Sequence, residues 1–268
     1  MRSFSETAYR ILGGAVVLAS YLFLLAPLLV VFVISFDASP NLEFPPKDWS
    51  MRWYAGLAGN SEFIEGLRVS LVLGSVVTVI SLVVGVTAAL ALTRYDFGGR
   101  DAVVGLFTSP LLLPSVVLGL ALLLVLGPVG LVGTYPGLVV AHLGLTIPYV
   151  VRTVMMSLNA VDASCEQAAR TLGASPVTTF RRITLPLIAP GLVAGAALSF
   201  IISFDEAVVS LFVVGTGRTT LPVVVFRYVS NNTDPQVAAL SVVLIVFSLA
   251  AVALIERALG LKRALSKA

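Results

Sequence analysis

Two adjacent carboxylates, Asp205 and Glu206, stand inside an otherwise apolar stretch at about residues 188–213. An ionisable side chain in hydrocarbon costs about 2.5–3.5 kcal/mol on insertion scales, so such groups face a polar interior, a partner charge or a transported solute. Ser199, Ser203, Glu206 and Ser210 recur at spacings of 4, 3 and 4. On a continuous helix they share one face, with Asp205 turned about 100° away. The stripe is expected to line a pathway, with Glu206 contributing to the passage of a cation. The plainer alternative is a structural pair with a basic residue of another subunit.

Catalytic chemistry has little to work with. One histidine, His142, and one cysteine, Cys165, supply no His-based metal centre, no multi-Cys metal site and no disulfide framework. The chain has no G-x-x-x-x-G-K-[ST] loop to cradle phosphates, no G-x-S-x-G elbow and no H-E-x-x-H pair. We therefore expect no catalytic residues, no metal and no cofactor in this chain. His142 lies among apolar residues, which favours a satisfied core histidine over a substrate or proton site.

The elements that must position these residues follow from composition. Of 268 residues, 58% are hydrophobic and 12% charged, with a mean hydropathy of +1.01. A soluble domain carries roughly 25% charge, and disorder needs low hydrophobicity, so the solvent is lipid. Six segments are long enough for about 20 apolar residues each: roughly 11–35, 66–92, 102–126, 137–157, 188–213 and 237–255. The first is too long for a cleavable signal peptide and is expected to be retained. The fold expected is all-α: a single polytopic domain over 1–268 with six transmembrane helices.

Charge sets the orientation. With the N-terminus inside, 12 of the 17 basic residues, among them Arg2, Arg94, Arg170, Lys262, Arg263 and Lys267, fall on the inner side and 5 on the outer. The positive-inside bias then places both termini in the cytoplasm. This topology accounts for the basicity, so nucleic acid is not expected as a partner. An outer loop at about 37–65 carries Trp49, Trp53 and Tyr54, aromatics suited to the membrane interface. In the second segment Ser70, Gly74, Thr78, Ser81 and Gly85 form a small-residue face, which serves either a pathway or helix packing. Pro110 and Pro114 interrupt the third segment. Each removes a backbone donor, so they either form part of a gate or set helix shape.

The inner loop, about 158–187, has its own local structure. Ser164 with Gln167 three residues on has capping-box spacing. Gly173 suits a helix stop at positive φ. Ser175-Pro176 reads as an N-cap followed by proline at the first helical position. The loop is thus a short helix, a tight stop and a second helix carrying Arg181 and Arg182, which suit lipid headgroups or a soluble partner.

The run Gln167-Ala168-Ala169, then Gly173, then Ile183-Thr184-Leu185-Pro186 resembles the EAA loop of permease subunits in binding-protein-dependent ABC importers. Further stretches also resemble the second permease of spermidine/putrescine importers: Ser109 to Pro114, His142, Pro148-Tyr149, Ser203 to Glu206 and Leu221-Pro222. The resemblance covers about residues 11–257 and implies a type I importer fold in a bacterial inner membrane. It implies as partners two ATP-binding subunits, a second similar permease, a periplasmic or extracellular solute-binding protein and membrane lipid. ATP and magnesium would belong to the partner ATPase. It assigns coupling to that ATPase to Gln167, Ala168, Ala169, Gly173, Ile183, Leu185 and Pro186. The family's Glu falls on Gln167, with Glu166 one position earlier. That contact is either neutral here or supplied by Glu166, turned about 100° on the helix.

Other functions make different demands. A secondary transporter driven by an ion gradient would use Asp205 or Glu206 as its ion site and leaves the capped inner loop without a purpose. A lipid-modifying enzyme needs a polar catalytic cluster at one interface. A passive anchor needs no carboxylates in the fifth segment.

Overall fold

The computed structural model describes residues 4–259 other than Thr216, with side chains for 9–250. Arg2, Lys262, Arg263 and Lys267 lie outside the described residues. Only helices and isolated bridges occur among those described. The chain divides into two compact units, Met1–Ser61 with Tyr228–Ala268, and Glu62–Arg227.

In the first unit, α1 (Phe4–Ile34) is a continuous helix through Pro27. Most of its apolar side chains from Tyr9 to Phe32 are exposed, as befits a helix whose solvent is lipid. The loop after it is pinned by its aromatics: Trp53 Nε1 donates to the Asp37 carbonyl at 2.7 Å, and Tyr54 and Ser35 hydroxyls lie 2.7 Å apart. Trp49 stays exposed. A short helix, α2 (Arg52–Gly59), follows.

The second unit begins with α3 (Ser61–Arg94), a helix long and apolar enough to cross a bilayer. Its small-residue face packs. A Cβ on Gly74 would meet the Phe200 ring at 3.2 Å, and one on Gly85 would meet Val150 Cγ1 at 2.6 Å. Ser70 Oγ accepts from the Leu221 N–H at 2.9 Å, and Ser81 Oγ lies 2.7 Å from Thr146 Oγ1. Of the two expectations for that face, packing is the one observed.

The third expected span is not one helix. It is α4 (Arg100–Thr108), a single 3-10 turn (Ser109–Leu112), and α5 (Ser115–Leu126), with a bend of 110° between the two halves. The cause is local. Pro114 forces Leu113 into extended backbone, φ −90° and ψ 137°, because the residue before proline clashes in the helical region. Pro110 lies in the 3-10 turn and Pro114 caps α5, so both prolines mark one break.

α6 (Tyr135–Ala160) is the axis of this unit. Thr134 caps it, its Oγ1 accepting from Gly137 N–H at 3.1 Å. One buried cluster (Leu73, Val77, Leu138, Val209, Val213) gathers toward its start, and another (Ala89, Val150, Val154, Leu158, Ile188) toward its end.

The inner loop holds α7 (Ala163–Thr171) and α8 (Pro176–Leu187), the latter widened over Phe180–Thr184. A 71° bend at Ile188 leads into α9 (Ala189–Asp205). Glycines let α9 lie close on α6: a Cβ on Gly191 would sit 2.8 Å from the Thr153 carbonyl oxygen. The fifth expected span also breaks. Glu206 is extended, φ −72° and ψ 108°, and a separate α10 (Val208–Val213) follows. Next comes α11 (Leu221–Asn231).

The chain returns to the first unit with α12 (Gln236–Leu259), which packs against α1 and α2. Its first part, Gln236–Ala250, is the apolar stretch expected as the sixth span. Among the described residues, three helices are long and apolar enough to cross a membrane, or five if each bent pair makes one crossing.

Candidate functional site

The break at Glu206 organises a polar centre in the apolar interior. His142 is fully buried. Its Nδ1 lies 2.9 Å from Ser203 Oγ and its Nε2 3.0 Å from Ser210 Oγ. Ser210 Oγ donates to the Glu206 carbonyl at 2.8 Å. With its single proton used there, Ser210 accepts from Nε2–H, and a neutral ring then accepts from Ser203 at Nδ1. The expected core histidine is thus satisfied on both nitrogens.

Seven residues of continuous helix would set Ser203 and Ser210 about 10.5 Å apart along the axis, too far for one imidazole to hold both. The break after Asp205 brings them to the same ring. The expectation of one unbroken stripe is corrected accordingly: Ser199 and Ser203 lie on α9, Ser210 on α10, and Glu206 at the junction. The Glu206 carboxylate accepts the Val209 N–H at 2.8 Å and so caps the first turn of α10. Glu206 is half-buried and Asp205 exposed. Asp205 has no hydrogen bond or ion pair among the described residues. Ser199 is fully buried and its hydroxyl is unpartnered.

The cytoplasmic loop forms the second site. The cap of α7 is Asp162, whose carboxylate accepts the Ser164 N–H at 2.8 Å. The expected capping box at Ser164 is corrected by two residues, because Val161 and Asp162 are already extended and leave the acid at the first free N–H groups. That N–H holds the Asp162 carboxyl below its ordinary value. Gly173 has φ +85°. Ala174 N–H donates to Ala169 O at 3.0 Å and Gly173 N–H to Arg170 O at 2.9 Å, the paired bonds of a Schellman stop. Ser175 caps α8, accepting from Thr178 N–H at 3.2 Å.

Glu166 faces inward. Its carboxylate lies 3.0 Å from Arg94 Nη2 at the end of α3 and accepts from Thr184 Oγ1 at 3.0 Å. Removing one member of a buried pair costs about 3–5 kcal/mol. Gln167, Ala168 and Gly173 are exposed, while Ala169 is buried. Pro186 is exposed, Ile183 and Leu185 half so. Beneath α7 lies a cavity of about 390 Å³ lined by residues including Arg94, Tyr95, Gln167, Arg170 and Phe180.

Residues 81–259 match the family described as binding-protein-dependent transport system inner membrane component. The chain belongs to this family. It is 35% identical over 243 residues to the spermidine/putrescine transport system permease protein PotC of Haemophilus influenzae, covering 91% of this chain and 94% of that one. It is 32% identical to the putrescine transport system permease protein PotI of Escherichia coli K12, covering 86% and 84%. The fold matches a bacterial ABC transporter involved in import of the acidic polysaccharide alginate, with TM-score 0.76 at 17% identity over 96% of this chain and 98% of that one. The chain is thus a multi-pass inner-membrane permease with the fold of type I ABC importers. A permease of this kind works with a solute-binding protein, an ATPase and a second permease.

Sequence reasoning missed two features of this permease. The Arg94–Glu166 pair joins residues 72 apart, with no periodic signal between them. The clamp of His142 on two serines left a trace in their seven-residue spacing, but the helix break that makes it possible did not.

Proposed function

We propose that this permease is one of two non-identical membrane subunits of an ATP-driven importer for a polyamine or a related amine-bearing solute. The observation that carries the substrate class is 35% identity, over most of both chains, to a permease described as transporting spermidine and putrescine. The exposed carboxylate of Asp205 and the half-buried one of Glu206 support it, since a cationic solute needs negative charge along its path. Both termini face the cytoplasm, following the positive-inside bias.

In this reading α7 is the coupling helix. Gln167 and Ala168 offer its outer face to the ATPase, Gly173 ends it sharply, and Ile183, Leu185 and Pro186 carry the motion into α9. ATP and magnesium bind the partner ATPases and not this chain. Glu206 and Asp205 attract the solute, with Ser199, Ser203 and Ser210 behind them. The break at Pro110 and Pro114 is the gate element. The ATPases bias the complex between two states by their different affinities for each.

The test is uptake of labelled spermidine and putrescine into proteoliposomes containing both permeases, the ATPases and the binding protein. ATP-dependent uptake of either supports the proposal. Uptake by this chain alone on an ion gradient, or ATP-driven uptake of a different solute that neither amine inhibits, overturns it.

A further inference from the structure

We infer that Arg94 and Glu166, with Thr184, fasten the coupling helix to the membrane helices, and that this fastening converts ATP hydrolysis into transport. The inference rests on the reading of α7 as the coupling helix.

The node joins three elements by side chains alone. Arg94 is the last residue of α3, Glu166 lies in the first turn of α7, and Thr184 lies in α8 just before Leu185-Pro186. One carboxylate oxygen, Glu166 Oε1, receives both the guanidinium and the hydroxyl at 3.0 Å. The side chains are only 20% and 12% exposed for Arg94 and Glu166, so the pair is screened little by salt. α7 is otherwise a nine-residue helix with a largely polar surface and only Glu166 and Ala169 buried. Without the node, little apolar surface remains to hold it. A helix pushed from its exposed side moves the bundle only if it cannot slide over it. The pair supplies that grip at two places at once, the foot of α3 and the helix leading into α9. Arg94 and Glu166 act through the helices they join; they are positioning residues.

The experiment compares ATP hydrolysed per molecule of solute taken up, in the reconstituted complex, for wild type, Glu166→Gln, Arg94→Gln and the double exchange Arg94→Glu with Glu166→Arg. Glu166→Gln should keep the assembled complex and raise the ratio roughly 5-fold or more, the low end of ordinary coupling between sites. The double exchange should recover part of the loss. Where the single variants lower the amount of complex, Thr184→Val, which removes one hydroxyl and keeps the ion pair, should raise the ratio by a smaller factor in intact complex. An unchanged ratio in assembled Glu166→Gln or Thr184→Val overturns the inference. Failure of any ATPase to copurify with the wild-type chain overturns the underlying reading instead.

Discussion

His142 Nε2 lies 3.0 Å from Ser210 Oγ while its Nδ1 lies 2.9 Å from Ser203 Oγ. A single ring therefore ties together both sides of the break in the fifth apolar segment. His142→Leu keeps the volume and leaves both hydroxyls without that partner. Hydrogen bonds between membrane helices are worth about 0.6 kcal/mol on average and up to ~1.7 each, so the loss should be about 1–3 kcal/mol. Thermal unfolding in detergent should show a lower Tm. Adding Ser210→Ala should then cost less than it does in wild type, because its partner is already gone.

Glu206 does two things at one position. Its carboxylate accepts the Val209 N–H and carries a charge at the helix break. Glu206→Gln keeps an oxygen acceptor and removes the charge. It should leave assembly intact and lower amine uptake. Glu206→Ala removes both, so its Tm should fall as well. Uptake kinetics that match wild type in Glu206→Gln would detach the charge from transport.

Gly173 takes φ +85°, and a Cβ there would meet nothing within 4 Å. Any penalty for substitution is thus conformational and not steric crowding. Left-handed backbone costs roughly 1–2 kcal/mol for an ordinary L-residue, while asparagine tolerates it better. Uptake per ATP hydrolysed should fall in the order glycine, asparagine, valine. A fully coupled Gly173→Val complex would contradict the need for this stop.

Close approach of α9 to α6 gives a paired test of packing. Gly191→Ala would place a methyl 2.5 Å from Ser157 Cβ and 2.8 Å from the Thr153 carbonyl oxygen. Overpacking of this kind costs about 1–3 kcal/mol. Gly144→Ala meets nothing within 4 Å and should leave Tm level or slightly raised. Equal effects of the two would argue against the observed helix contact.

Local chemistry made some of this legible in the sequence. Gly173 and Ser175-Pro176 act where their side chains and φ preferences point, and the apolar runs find helices. The break at Glu206 was hidden because the run around it has the same hydropathy whether straight or bent. Pro110 and Pro114 announced an interruption but not its 110° angle. Asp162 and Ser164 are both good caps, and the choice between them turned on where Val161 left the chain extended. Glu166 could not be oriented from sequence, because its partners Arg94 and Thr184 come from other helices.

The outer face of α7 provides the most direct test. Cys165 is exposed, so a Cys165→Ser background is needed, with a new cysteine at exposed Ala168 and a short bifunctional crosslinker. In the complex turning over ATP, this cysteine should form an adduct with the ATPase subunit in good yield. Vigorous ATP-driven uptake with Ala168→Cys reactive to small reagents yet never crosslinked to the ATPase would contradict the role assigned to this helix.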